Sequence, residues 1–252
     1  MNALLRSLIW FLYPAQCRHC GENLDPADSH YICKSCWDQV EYIDRPYCEK
    51  CGYPLDSLSS LPDRVFSCAD CPDETSFGKA RSIAHYYDSA IGEAIRLLKD
   101  NGKTIMAGKL AEIMAKGVHD LLDVNDYDCI VPVPIHKKKL RKRGYNQMDL
   151  IGRKMSAKLG IPIDAQSLVK SVHTPPQRGL KARDRVQNIK DSFSVIDPSK
   201  IAGKRVLLID DVMTTGSTAN ECARVLLKEG KASNVDVLTL TRAVFSDLLD
   251  NV

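Results

Sequence analysis

The sequence predicts an α/β domain built round a mostly parallel sheet, preceded by a small metal-stapled module, and three observations support this. Eight of the ten cysteines fall within the first 71 residues, as four C-x-x-C pairs. From residue 79 onward, short apolar runs alternate with amphipathic stretches of helical period. The formal charge changes sign at the same place, −6 over residues 1–78 and +9 over 79–252, so the net +3 hides two modules. The 252 residues, 44% hydrophobic and 27% charged, are enough for both, and this composition excludes disordered, collagen-like and coiled-coil classes. No apolar run approaches the ~18 residues of a membrane span, and the first residues lack a small-residue signal cleavage site. A soluble, cytoplasmic protein is expected.

The first element is a short amphipathic helix. In the segment LLRSLIWFLYP, Leu4, Leu5, Leu8, Phe11 and Leu12 share one helical face, suited to packing on the folded protein.

The cysteine pairs come next. A C-x-x-C turn puts two sulfurs on one side of a tight reversal, and two such turns complete a tetrahedral S4 site for zinc. Cys17/Cys20, Cys33/Cys36, Cys48/Cys51 and Cys68/Cys71 therefore supply two structural Zn2+ sites. An internal repeat suggests the pairing: CRHCGENLD at 17–25 returns as CEKCGYPLD at 48–56, each copy followed by a C-x-x-C without the glycine. Two tandem ribbons, Cys17-Cys20-Cys33-Cys36 and Cys48-Cys51-Cys68-Cys71, follow, with Gly21 and Gly52 supplying left-handed backbone after the second ligand. Pairing of the first turn with the third stays open as an alternative. A disulfide framework would need an oxidising compartment that nothing in the sequence announces. Four thiolates close the coordination sphere, so the zinc staples a segment too poor in large apolar side chains to fold alone. The sign of this module, made more negative by the thiolates, disfavours nucleic-acid contact and favours a protein surface, its own second domain or a partner.

In the second module, residues 82–87, 129–134 and 206–210 read as strands. Residues 88–101, 104–122, 146–159 and 217–229 read as helices, with Gly102, Gly160 and Gly230 near their C-terminal ends. Asn146 with Asp149 marks a helix start. Cys129 and Cys222, lacking C-x-x-C partners and set in apolar patterns, are expected to be small core residues.

The most informative stretch is VLLIDDVMTTGST, residues 206–218. A buried strand runs into two acids, then a short hydroxyl- and glycine-rich loop, then a helix. This order places loop N–H groups at a helix N-terminus beyond the carboxyl edge of the sheet, where a phosphate binds favourably. Gly216 permits close backbone approach, and Thr214, Thr215, Ser217 and Thr218 offer hydroxyl donors. Asp210 and Asp211 are acceptors suited to a vicinal diol or to Mg2+. Alternation along a strand predicts that at least one acid lies beyond the last ladder position, and Thr218 with Glu221 predicts a capping box. A P-loop is excluded: Gly102-Lys103-Thr104 lacks its upstream glycine, since Leu97 stands at that position.

Two cationic stretches follow the same logic. KKKLRKR, residues 137–143, holds six cations in seven positions directly after the strand VPVP. It suits a solvated surface turn, or a site for pyrophosphate or a nucleic-acid backbone. Tyr145, Asn146 and Gln147 add an aromatic face and amides. Residues 173–190, with two prolines and Arg178, Lys181, Arg183, Arg185 and Lys190, suit a loop that closes over substrate.

VLLIDDVMTTGST resembles the 5-phosphoribosyl-1-pyrophosphate (PRPP) loop of type I phosphoribosyltransferases. RLLKDNGK (96–103), IVPVPIHKKKLRKRGYNQ (130–147), TPPQRGLKARDRVQNI (174–189), this loop and the cysteine ribbons together resemble the ComF family, in its order and over nearly the whole chain. The resemblance implies a type I phosphoribosyltransferase fold over 79–252 behind a double zinc ribbon over 1–78. It implies that Asp210 and Asp211 hold the ribose hydroxyls of PRPP with Mg2+ and that Thr214, Thr215, Gly216, Ser217 and Thr218 cradle the 5-phosphate. Pyrophosphate would face Lys137, Lys138, Lys139, Arg141, Lys142 and Arg143, with Gln177 and Arg178 covering the ligand. Natural competence is the implied setting, through phosphoribosyl transfer or through binding of PRPP or single-stranded DNA without turnover. A helicase or recombination mediator would then meet the acidic ribbons. A metabolic phosphoribosyltransferase of nucleotide salvage is the alternative. No segment specifies a nucleobase acceptor.

Overall fold

The computed structural model describes residues 15–24, 31–55, 68, 75–87, 89–172 and 189–243. The expected N-terminal helix and the 173–188 loop lie outside these residues. The central sheet has four strands, β1 (Ala80–His85), β2 (Cys129–Pro132), β5 (Arg205–Met213) and β6 (Asn234–Arg242), in the spatial order β1-β6-β5-β2. Every pairing in it is parallel. Strands β3 (Leu168–Lys170) and β4 (Phe193–Val195) form a separate antiparallel pair. The helices are α1 (Lys34–Asp38), α2 (Ala90–Asp100), α3 (Met106–Leu121), α4 (Lys137–Arg143), α5 (Gln147–Leu159) and α6 (Ser217–Lys228). None of the described helices is long and apolar enough to cross a membrane.

Each sheet face has its own core, as period-two strands require. Leu207 and Ile209 look to one side, with Ile130, Leu238 and Leu240, and are covered by α2, α3 and α5. Val206 and Leu208 look to the other, with Val131, Val235 and Val237, and are covered by α6 and the β3–β4 pair. Cys129 and Cys222 are core residues, as expected.

The cysteine module straddles one edge of the sheet. Cys17, Cys33 and Cys36 join the first core, and Cys48 and Cys51 join the second. Between them, Ile43 N donates to Ile83 O (2.9 Å) and Ala80 N to Lys50 O (2.8 Å), so the module masks the outer edge of β1. Three lysines reach back over module aromatics: Lys103 over Tyr31, Lys109 over Trp37 and Lys116 over Tyr42. The acidic module thus faces its own basic partner domain.

Several local expectations need correction. Strand β6, paired on both sides and buried along nearly its whole length, was not foreseen, nor was the β3–β4 pair. The basic run 137–143 is a seven-residue helix, closed by Gly144 at φ +86°. Both acids of β5 lie inside the ladder, which runs on to Met213 opposite Arg242. The capping box is absent: α6 starts at Ser217 after Gly216, and Glu221 instead accepts from Asp191 N (2.8 Å) and from Arg224. Asn146 does cap α5, accepting from Met148 N (3.1 Å).

Candidate functional site

The repeat seen in the sequence is repeated in the backbone. Gly21 N donates to Cys17 O and Gly52 N to Cys48 O, closing two like turns, with φ +81° and +67° at the glycines. Gly52 has a second constraint, since a Cβ there would lie 2.5 Å from Ala80 O. The thiols of Cys17, Cys20, Cys33 and Cys36 lie within 4.8 Å of one another, as do those of Cys48, Cys51 and Cys68. Cys71 lies outside the described residues. The sulfur–sulfur distances are 3.8 Å (Cys17–Cys36), 3.7 Å (Cys20–Cys33) and 3.4 Å (Cys51–Cys68). A zinc–sulfur bond of about 2.3 Å gives a tetrahedron with edges of about 3.8 Å, so the thiols fit zinc as they stand. Their grouping follows the tandem order.

The second site lies where β5 runs into α6. Met213, Thr214, Gly216, Ser217 and Thr218 line a small cavity of about 40 Å³ together with Asp210 and Thr239. Gly216 is left-handed at φ +77°, a conformation that favours glycine, and Met213 Cε lies close, 2.8 Å from where a Cβ would stand. Thr215 and Ser217 share a hydroxyl contact of 2.7 Å. Ser217, Thr218 and Ala219 of the first turn of α6 line this cavity, and a helix N-terminus favours an anion.

The two acids have different surroundings. Asp211 is buried, and both carboxylate oxygens are engaged, one by Lys99 Nζ (2.8 Å) and one by Gln147 Nε2 (2.8 Å). Gln147 is held in turn by Arg143. Asp210 lines the cavity, with one oxygen accepting from Asp211 N (2.8 Å). Burial, then the neighbouring charge of Asp211, pushes its carboxyl up to about 7. The strand alternation that separates the two acids explains this: Asp211 faces α2 and α5, and Asp210 faces the cavity.

Cations converge on these acids from three elements, α2, α4 and β3. Burial opposes the charge on Lys99, but Asp211 outweighs it and the pKa is raised. Lys139 on α4 is lowered by desolvation, then by Arg143 and Lys99, and Lys170 at the end of β3 by desolvation, then by Lys139. On the seven-residue helix α4, Lys139 and Arg143 are one turn apart on a shared face. Lys137, Lys138, Arg141 and Lys142 occupy the rest of the helix and are exposed. Tyr145 donates to Leu98 O and Asn146 Nδ2 to Val133 O (3.1 Å), so both brace the elements round the site. Gln177 and Arg178 lie outside the described residues.

Lys99 and Lys170 are functional candidates that the sequence reading did not single out. Lys99 stands inside RLLKDNGK, a segment noted only for resemblance, and Lys170 lies in a short strand without a motif. A basic cluster beside two acids, with a phosphate-shaped loop below, suits a polyanionic ligand bearing a diol.

Comparison with known proteins agrees with both halves. A double zinc ribbon model matches residues 8–72, and a phosphoribosyl transferase domain model matches residues 151–244. These define a phosphoribosyltransferase-type α/β domain behind two zinc ribbons. Competence protein F of Haemophilus influenzae is 35% identical over 234 residues, 90% of this chain and 97% of that protein. The DNA utilization protein YhgH of Escherichia coli K12 is 29% identical, covering 84% and 91%. Competence protein ComFC of Bacillus subtilis is 23% identical, covering 84% of each. The chain belongs to the ComF family.

Proposed function

We propose that the chain binds PRPP, or a closely related phosphorylated ribose, at the β5–α6 loop and acts in natural competence, in the cytoplasmic uptake or processing of transforming DNA. The observation that carries this is Asp210, set at the cavity of Thr214, Gly216, Ser217 and Thr218 while Asp211 is tied to Lys99 and Gln147. The names of the relatives support the setting.

Each group then has a task. Loop N–H groups and hydroxyls hold the 5-phosphate, and Asp210 accepts from the ribose diol. Asp211 fixes Lys99 and Gln147, and Lys99, Lys139 and Arg143 receive the pyrophosphate. Mg2+ bound with the ligand would supply further neutralisation of the diphosphate. In transfer, an acceptor nucleophile attacks the anomeric carbon and the electron pair of the breaking C–O bond leaves with pyrophosphate.

The outward cations of α4 favour a second reading, in which PRPP is held without turnover and single-stranded DNA is bound alongside. The acidic zinc ribbons then offer a protein partner its site. The test is purified protein with PRPP, Mg2+ and a panel of nucleobases. Pyrophosphate release upholds transfer. Calorimetric binding without release upholds the second reading, and no heat with PRPP overturns both.

A further inference from the structure

Two buried arginines stand beside the second cysteine cluster, and they differ in what neutralises them. Arg81 pairs with Glu49 at 2.9 Å. Arg242, 4% exposed at the end of β6, has no carboxylate within ion-pair distance among the described residues. Its guanidinium donates to Cys51 O (2.6 Å), lies 3.9 Å from Cys51 Sγ and stacks over Tyr53. A buried guanidinium without a counter-charge is costly, and a metal-bound thiolate at that distance is an anion. We propose that Arg242 is the outer-sphere partner of the second metal centre, donating N–H to the Cys51 thiolate, and that it couples this centre to the phosphate loop.

The coupling has two physical links. Arg242 pairs in the ladder with Met213, and Ala243 N donates to Met213 O (2.9 Å), directly before the loop. Met213 in turn packs on Gly216. Independently, the segment leaving the second ribbon donates from Ser76 N to Asn220 Oδ1 (2.6 Å), in the first turn of α6. The first link ends on the backbone directly before the phosphate loop, and the second on a side chain in the first turn of the helix that follows it. Outer-sphere donors of this kind commonly change metal affinity about 10–100-fold. Losing the metal would leave Arg242 buried beside neutral thiols and loosen Met213.

This inference rests on zinc at the second cluster and on PRPP at the loop, and the experiment separates the three claims. Wild type, Arg242→Gln and Arg242→Lys are purified as full chains with zinc. The rate of zinc release to a chromogenic chelator is followed, and PRPP affinity is measured by calorimetry. For Arg242→Gln we expect one of the two zinc ions to leave about tenfold faster or more, the other to be unchanged, and PRPP to bind several-fold more weakly. Arg242→Lys should recover part of both. Zinc release at the wild-type rate from Arg242→Gln overturns the outer-sphere role. Faster release with unchanged PRPP affinity overturns the coupling. Wild type that holds two zinc ions but ignores PRPP sinks the reading of the loop, while the zinc arm still decides the role of Arg242. Should Arg242→Gln not fold, Arg242→Lys and Cys51→Ser carry the same comparison against wild type.

Discussion

Replacing Lys99 by Met removes a cation bonded directly to buried Asp211 and keeps a side chain of similar length. Breaking a buried pair from one side costs about 3–5 kcal/mol. Here Gln147 remains as a donor, and the Lys99 side chain is 29% exposed, so the loss should be nearer about 2 kcal/mol. For a chain of this size that corresponds to about 4–8 °C in Tm. The sign with pH follows from Lys99. Burial opposes its charge, but Asp211 outweighs this and holds the amine above its ordinary value. A cation raised in the folded state contributes stability that is present at neutral pH and lost as the pH rises through the raised value. The difference between wild type and Lys99→Met should therefore be full at pH 8 and shrink above about pH 10. Scanning calorimetry at a series of pH values measures it. A Tm difference below about 2 °C at pH 8, or one that grows above about pH 10, would refute the role assigned to the Lys99–Asp211 pair.

Other outcomes follow from the same geometry. Gly216→Ala forces a side chain into left-handed backbone at a cost of about 1–2 kcal/mol and against Met213, and should weaken PRPP binding about tenfold or more by calorimetry. Lys139→Ala with Arg143→Ala should weaken PRPP binding, whereas Lys138→Ala with Lys142→Ala should spare it and lower the salt slope of single-stranded DNA binding by about 1.4 in filter assays. Burial works to raise the Glu221 carboxyl, but bonds from Arg224 and Asp191 N outweigh it and leave it lowered. Its contribution is thus present at neutral pH and lost as the pH falls through that lowered value, so Glu221→Gln should cost about 1–2 kcal/mol in urea unfolding at pH 7 and progressively less as the pH falls into the acid range. Elemental analysis should find about two zinc ions per chain, and stripping them should unfold residues 15–55 first, read by hydrogen exchange.

What was legible in the sequence was whatever is local. The first C-x-x-C turn of each ribbon, the glycine after it, the helix start at Asn146 and the strand–acid–loop–helix order of 206–218 are set by neighbours a few residues apart, and each has its counterpart in the structure. Strand β6 was hidden by its polar residues. Asp236, Thr239 and Arg242 interrupt the apolar pattern, yet all are buried, answered by Tyr127, Ser82 and Cys51 from far along the chain. Lys99 was obscure for the same reason, being 112 residues from the acid it meets. The acids themselves were misplaced relative to the ladder because the length of β5 is fixed by β6, which the alternating pattern did not reveal.

The position of β6 also constrains the order in which the molecule can be completed during synthesis. Ala80, among the first sheet residues made, finds its neighbour in Val237, close to the last described residue. The metal-bearing half leaves the ribosome well before that neighbour exists. At about 5–20 residues per second, β1 waits roughly 8–30 s with one side bare. The ribbons bonded along its other side are all that protects it meanwhile, so early zinc loading guards a newborn chain against clumping.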